Sequence, residues 1–261
     1  MKKMCRRLYR LPLLTVWLLF QAFRSLPLRY QRDRDESIRR MAAQMKIWAT
    51  VLLKILSIEV RIHGDLQPYR REGGLVVSNH VGYVDVLVHS TLSGMRFAPK
   101  AEVQKWPFFG WYTGMSNPIW VDRASRSKSR EVLEEFRRTL LLKVPLIVYP
   151  EGTTTDGRHG ILPFKSTGFE SVVSTDIPVQ PLVTLYHTQG KDDVNPAWFG
   201  DWEFLPHLWQ LLGNKRTVAD VFVLPLMRAG DDDRKTFAAK VYYMMDQVYT
   251  QQMKEMENEK V

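Results

Sequence analysis

The chain has 261 residues, 45% of them hydrophobic and 25% charged, with one cysteine, Cys5. At about 150 residues per domain this allows one large domain or two small ones; the composition is globular, and a lone cysteine excludes a disulfide framework and a cysteine-rich zinc site. The net charge of +9 is concentrated: residues 1–40 hold eleven Lys and Arg against three Asp and Glu, leaving the rest nearly neutral, which argues against a nucleic-acid-binding body with basic residues along a folded face.

The N-terminus reads MKKMCRRLYR, then LPLLTVWLLFQAF. The apolar run, residues 8–23, makes a helix of roughly 24 Å, short of the ~30 Å hydrocarbon core. Lys2, Lys3, Arg6, Arg7 and Arg10 precede it, and Arg24, Arg29, Arg32 and Arg34 follow. A spanning helix is usually basic on one side; charge on both sides favours a helix lying in one leaflet. A cleaved signal peptide or a single-span anchor competes with this reading, although Phe23-Arg24-Ser25 is a poor cleavage site. A second helix is expected over residues 37–56, with Trp48, Val51, Leu52, Ile55 and Leu56 on one side and Lys46 and Lys54 snorkelling. Residues 1–56 are therefore expected to form a two-helix, monotopic anchor on the cytoplasmic face of the cell (inner) membrane. Residues 57–261 are expected to form a separate α/β domain.

Short apolar, β-branched runs recur at 57–62, 75–78, 96–99, 118–121, 146–149, 179–186 and 218–224, which reads as about seven strands. Helical patterns lie between several of them: one at 86–92, a clearer one at 127–142 with Val132, Leu133, Phe136, Leu140 and Leu141 at helical spacing, and a last one at 233–256. Alternating strands and helices predict a largely parallel mixed sheet flanked by helices. Ligands bind such sheets beyond the C-terminal ends of the strands.

After Leu75-Val76-Val77-Ser78 comes Asn79-His80-Val81-Gly82-Tyr83-Val84-Asp85. A histidine is a base near neutral pH, and a carboxylate five residues on orients it if the turn folds back. His187 and Asp192 repeat the spacing in a polar loop with no helix start behind it. For either pair alone, a solvated histidine or a turn carboxylate is the plainer reading. After Leu146-Ile147-Val148-Tyr149 comes Pro150-Glu151-Gly152-Thr153-Thr154-Thr155, a polar loop that also reads as a simple turn. Lys100 and Arg123 each end a strand-like run and suit a phosphate, or a local ion pair such as Asp122 with Arg123. Neither phosphate-loop nor dinucleotide glycine motifs occur, nor do G-x-S-x-G or H-E-x-x-H.

Together these pieces resemble the glycerolipid acyltransferase family, the 1-acylglycerol-3-phosphate acyltransferases and their relatives. The family's N-H-x-x-x-x-D block is matched by Asn79, His80 and Asp85, its D-R block by Val121-Asp122-Arg123, its F-P-E-G-T block by Tyr149-Pro150-Glu151-Gly152-Thr153, and its I-P-V-x-P block by Ile177-Pro178-Val179-Gln180-Pro181. All four stand in order across residues 60–225. Thr154 and Thr155 stand where the third block commonly continues with Arg, and the stretches Glu151–Gly157 and Leu162–Ser166, with Trp198-Phe199-Gly200-Asp201 later, resemble a branch that includes acyltransferases for other lysolipids such as lyso-ornithine lipid.

The resemblance implies transfer of a fatty acyl chain from acyl-CoA or acyl-carrier protein to the sn-2 hydroxyl of 1-acylglycerol-3-phosphate, making phosphatidic acid. Another lysolipid acceptor such as lyso-ornithine lipid is the alternative, and a non-catalytic membrane-bound adaptor a distant one. His80 would remove the acceptor's proton and Asp85 would orient it. Asn79, Lys100, Arg123, Glu151, Gly152 and Thr153 would bind substrate, with Lys100 and Arg123 on the phosphate. Backbone N–H groups near Gly152 or Gly82 are candidates for the oxyanion. Membrane lipids, the lysolipid and the thioester are the implied partners, with no nucleic acid, no metal and no resident cofactor.

Overall fold

Two helices open the chain, as their apolar spacing predicts. The structure is a computed structural model and describes residues 2–122 and 126–258. Helix α1 (Lys2–Arg29) buries Arg10, Leu14, Gln21, Ala22 and Ser25, a spacing that keeps them on one face. Asp33 caps α2 (Arg34–Leu56), its carboxylate accepting the Asp35 and Glu36 N–H groups at 2.9 and 3.2 Å. Those first-turn donors have no partner within the helix.

The remaining elements are β1 (Ile58–His63), α3 (Gln67–Glu72), β2 (Leu75–Ser78), α4 (Tyr83–Leu92), β3 (Arg96–Phe97), α5 (Phe109–Gly114), α6 (Arg126–Leu141), β4 (Leu146–Val148), β5 (Val179–Thr188), α7 (Phe204–Leu211), β6 (Thr217–Val223) and α8 (Arg234–Asn258). The strands form one sheet in the order β1-β6-β5-β2-β4-β3, parallel throughout except for β5 with β6. The mixed, largely parallel sheet is as expected, with six strands rather than about seven. The run at 118–121 lies beside β3, with Ile119 N–H bonded to Phe97 C=O and Val121 N–H to Pro99 C=O. Pro99 and Pro118 lack the donors that a continuous ladder needs.

Helices cover both faces. Leu14, Leu52, Leu56 and Val88 pack with Val76, Leu182 and Val221 on one side. Phe136, Leu140, Phe237 and Val241 pack with Val77, Val148 and Val183 on the other. Burial from both sides explains why every residue of β2 is buried and its sequence does not alternate.

No break in packing falls at residue 56, where a domain boundary was expected. The two N-terminal helices share an apolar core with the sheet, and α1 is also hydrogen-bonded to the body. Arg10, only 3% exposed, donates to the Leu212 and Asn214 carbonyls at 3.0 and 2.7 Å and also reaches Ser57 Oγ. Arg6 Nε donates to Gly213 C=O at 2.7 Å. These carbonyls follow α7, where a helix end favours cations. Part of the basic flank expected to face lipid therefore caps a helix of the body.

Candidate active site

Strand β2 ends at Ser78, and residues 79–82 turn the chain into α4. Asp85 is the third residue of α4, where a carboxylate can fold back onto the unpaired N-terminal N–H groups. Its Oδ2 accepts the Val81 and Gly82 N–H groups at 2.7 and 3.0 Å and lies 2.7 Å from His80 Nδ1. The H-x4-D spacing thus has a local cause: the acid that caps the helix also meets the histidine just before the cap. With Nδ1–H donating to Asp85, the lone pair of His80 sits on Nε2, which makes no hydrogen bond among the described residues.

Tyr186 Oη donates to the other carboxylate oxygen, Oδ1, at 2.6 Å. Asp85 is 1% exposed. Burial raises its pKa, but the His80 hydrogen bond, the charge of His80 and the Tyr186 hydroxyl help to outweigh burial and hold it below the ordinary value. Asp85 is therefore an anion at neutral pH.

His80 is fixed on several sides. Its ring stacks on Tyr149 with centroids 4.0 Å apart and planes 13° from parallel. Its N–H donates to Glu151 Oε1 at 2.7 Å, and its carbonyl accepts Thr155 N–H at 3.0 Å. Beneath it, His89 Nδ1 lies 3.0 Å from Tyr149 Oη and His89 Nε2 lies 2.8 Å from Thr184 Oγ1. Burial pushes the His89 pKa down to about 4, so His89 is neutral there.

The expected substrate-binding residues fall into four groups. Asn79 and Glu151 face backbone. Asn79 Nδ2 donates to Thr184 C=O at 2.9 Å and its Oδ1 accepts Thr184 N–H at 2.8 Å. The second oxygen of Glu151 accepts Leu162 N–H at 2.8 Å. Burial raises the Glu151 pKa to about 7, against the two N–H donors and with help from the charge of Asp85. Gly152, at φ 76°, adopts the left-handed conformation that favours glycine. Its N–H donates to Tyr149 C=O at 3.1 Å, and the Gly82 N–H is held by Asp85, so both N–H groups expected near an oxyanion already have protein acceptors. Thr153 and Lys100 are exposed. Lys100 lies just beyond β3, at the same end of the parallel strands as His80. Arg123 lies outside the described residues.

His187 does not pair with Asp192: its Nδ1 lies 3.2 Å from Asp220 Oδ2, and the other oxygen of Asp220 meets His63 Nε2 at 2.7 Å. Among the described residues, no group of His, Cys, Asp or Glu is placed to hold a metal. Sequence reasoning missed three site residues: Tyr149 as the stacking partner, His89 and Tyr186. His89 was within reach, because it follows Asp85 by four residues and so shares its helix face. Tyr186 carried no sequence signal.

A buried carboxylate holding an imidazole at the C-terminal end of a parallel strand is an arrangement suited to acid–base chemistry. A family model described as "Acyltransferase" matches residues 59–185. A lyso-ornithine lipid O-acyltransferase of Pseudomonas aeruginosa is 30% identical over 191 residues, covering 73% of this chain and 72% of that protein. A 1-acyl-sn-glycerol-3-phosphate acyltransferase of Neisseria gonorrhoeae is 28% identical over 241 residues, 90% of each chain. The crystal structure of the 1-acyl-sn-glycerophosphate acyltransferase PlsC from Thermotoga maritima shares the fold, with a TM-score of 0.69 over 96% of this chain and 97% of that one at 21% identity. The chain belongs to the acyltransferase family and is an enzyme of acyl transfer.

Proposed function

We propose that the protein moves a fatty acyl chain from an acyl thioester, acyl-CoA or acyl-carrier protein, to the sn-2 hydroxyl of 1-acylglycerol-3-phosphate. The observation that carries the chemistry is the 2.7 Å contact between His80 Nδ1 and Asp85 Oδ2, which leaves Nε2 as the base. Nε2 takes the proton of the acceptor hydroxyl as its oxygen attacks the thioester carbonyl. The tetrahedral intermediate then collapses, the C–S bond breaks, and the imidazolium returns the proton to the leaving thiolate. Asp85 holds the ring and balances its charge. Asn79 and Glu151 act by holding the turn, while Lys100 and Arg123 take the phosphate. The route uses no resident cofactor.

The match to the Neisseria gonorrhoeae protein over 90% of both chains supports this acceptor. Lyso-ornithine lipid is the second reading, supported by the Pseudomonas aeruginosa relative and by Thr154 and Thr155 after the Glu-Gly-Thr loop. Purified enzyme in detergent, offered both acceptors with both thioesters, tests the proposal by product mass. Faster acylation of 1-acylglycerol-3-phosphate supports the first reading. Faster acylation of lyso-ornithine lipid reassigns the acceptor and removes the phosphate role of Lys100 and Arg123.

We further propose that the enzyme lies on one leaflet, monotopic, at the cytoplasmic face. Helix α1 is long enough, and its apolar stretch apolar enough, to cross a membrane, and Leu8, Leu13, Val16, Leu19 and Phe23 are exposed on it. Both of its ends are tied to one body. Arg6 and Arg10 hold the first to the segment after α7. At the other, α2 takes Leu28 C=O through Ser37 Oγ at 2.7 Å, and Asp35 pairs with Arg138 of α6. A helix pinned to one body at both ends lies along a membrane surface rather than through it.

A further inference from the structure

We propose that Tyr186 is a positioning residue for the reaction, donating to Asp85 and thereby limiting how strongly that carboxylate stabilises the His80 imidazolium. The proposal rests on the His80–Asp85 reading above.

Four donors surround Asp85, divided unequally between its oxygens. Oδ2 takes His80 and the Val81 and Gly82 N–H groups; Oδ1 takes Tyr186 at 2.6 Å. An O–H···O⁻ bond of that length is a strong one. The helix and the strand are matched to make it. Asp85 and His89 are four residues apart on α4, about 6 Å along the axis. Tyr186 and Thr184 are two residues apart on β5, about 6.6 Å. Tyr186 therefore meets Asp85 where Thr184 meets His89. The parallel register of β2 and β5 also brings the Thr184 backbone to Asn79, so one strand holds both the turn and its acid.

The titratable groups around Asp85 are His80 on the turn, His89 on α4, Tyr149 and Glu151 at the end of β4, and Tyr186 on β5. His89 is neutral, and burial with the charge of Asp85 holds the Tyr149 phenol protonated. Burial and the same carboxylate keep Tyr186 protonated too, so it remains a donor over the working pH range. A donor on Oδ1 draws charge from the carboxylate. Without it, Asp85 would bind the imidazolium more tightly, and more of the enzyme would carry a protonated His80 that cannot act as a base.

The test is the pH dependence of kcat/KM, measured with purified full-length enzyme in detergent on its better lysolipid acceptor. Tyr186→Phe should move the acidic limb up by about half to one pH unit, which lowers kcat/KM about 3- to 10-fold along that limb, with KM for the lysolipid unchanged. Replacing Tyr186 by difluorotyrosine keeps the shape and strengthens the donor, so the limb should move down. In an Asp85→Asn background, Tyr186→Phe should add no further loss. A folded Tyr186→Phe enzyme with the wild-type pH profile, or a full additional loss in the Asp85→Asn background, overturns the proposal. The dyad has its own control: a folded His80→Ala enzyme with near wild-type turnover removes the dyad reading, whereas an inactive His80→Ala beside an unmoved Tyr186→Phe profile removes only the role of Tyr186.

Discussion

Asp85 serves the helix and the histidine with the same oxygen, and substitutions separate the two uses. His80→Ala should lower kcat by at least ~10²-fold, as for loss of a general base, and leave the cap of α4 in place. Asp85→Ala should lose activity similarly and also lower stability by about 1–2 kcal/mol, because the Val81 and Gly82 N–H groups lose their acceptor. Turnover and thermal unfolding of the two variants separate these effects. Glu151 makes a second prediction at this scale. Folding raises its pKa from the ordinary 4.5 to about 7, so the native state holds this proton more tightly than the unfolded chain does. Its contribution to stability is complete below about pH 4.5 and lost as pH rises through about 7. Relative to Glu151→Gln, the wild type should lose stability across that window, by at most ~3 kcal/mol. Melting both proteins between pH 5 and 8 checks the sign, and parallel stability profiles would contradict the raised pKa.

Among the elements, α1 departs furthest from its expected role. An appended anchor would leave the body unchanged when removed. Here Leu14 belongs to the main core, and Ala22 packs with Tyr112 and Met115 near α5. Deleting residues 2–33 should therefore lower the unfolding midpoint and promote aggregation even in detergent. Arg10→Leu is the sharper change. It removes the guanidinium donors from the Leu212 and Asn214 carbonyls and should destabilise the protein by about 2–4 kcal/mol. Chemical denaturation in detergent measures both effects; a deletion that unfolds at the wild-type midpoint would restore the separable anchor. The helices at 127–142 and 233–256 were readable from their apolar stripes and are found as α6 and α8, with ends shifted by one or two residues. Periodicity shows that a helix has an apolar face but does not say which part of the molecule covers it.

For the molecule as a whole, the monotopic reading has a convenient probe in Cys5, the chain's single cysteine, which is exposed near the start of α1. In sealed vesicles a membrane-impermeant maleimide should reach Cys5 from the side that carries the α/β body. With Cys5 replaced by serine, a cysteine substituted for Arg32, in the exposed turn after α1, should be reached from that same side. Labelling from opposite sides would mean that α1 spans, and the arrangement of the two helices on the body would then have to be redrawn. High salt should not strip the protein from membranes, because apolar contact at ~25 cal/mol per Å² is not screened.

The chain's own order of residues determined the α/β class, the positions of six of the seven expected strands and the H-x4-D pair, because each rests on local chemistry. Apolar runs ended by polar turns make buried strands, and a carboxylate at the third helical position reaches back to the residues before the cap. The tertiary structure decided which of two equally spaced His/Asp pairs folds back: Asp85 caps a helix, whereas His187 meets Asp220 on a neighbouring strand. It also brought Tyr186 to Asp85 across 101 residues of chain, placed Tyr149 beneath His80 and bonded Arg10 to the segment after α7. Such contacts depend on strand order and on the register of helix against sheet. Those are set by how the layers pack in three dimensions, and no spacing along the chain records them.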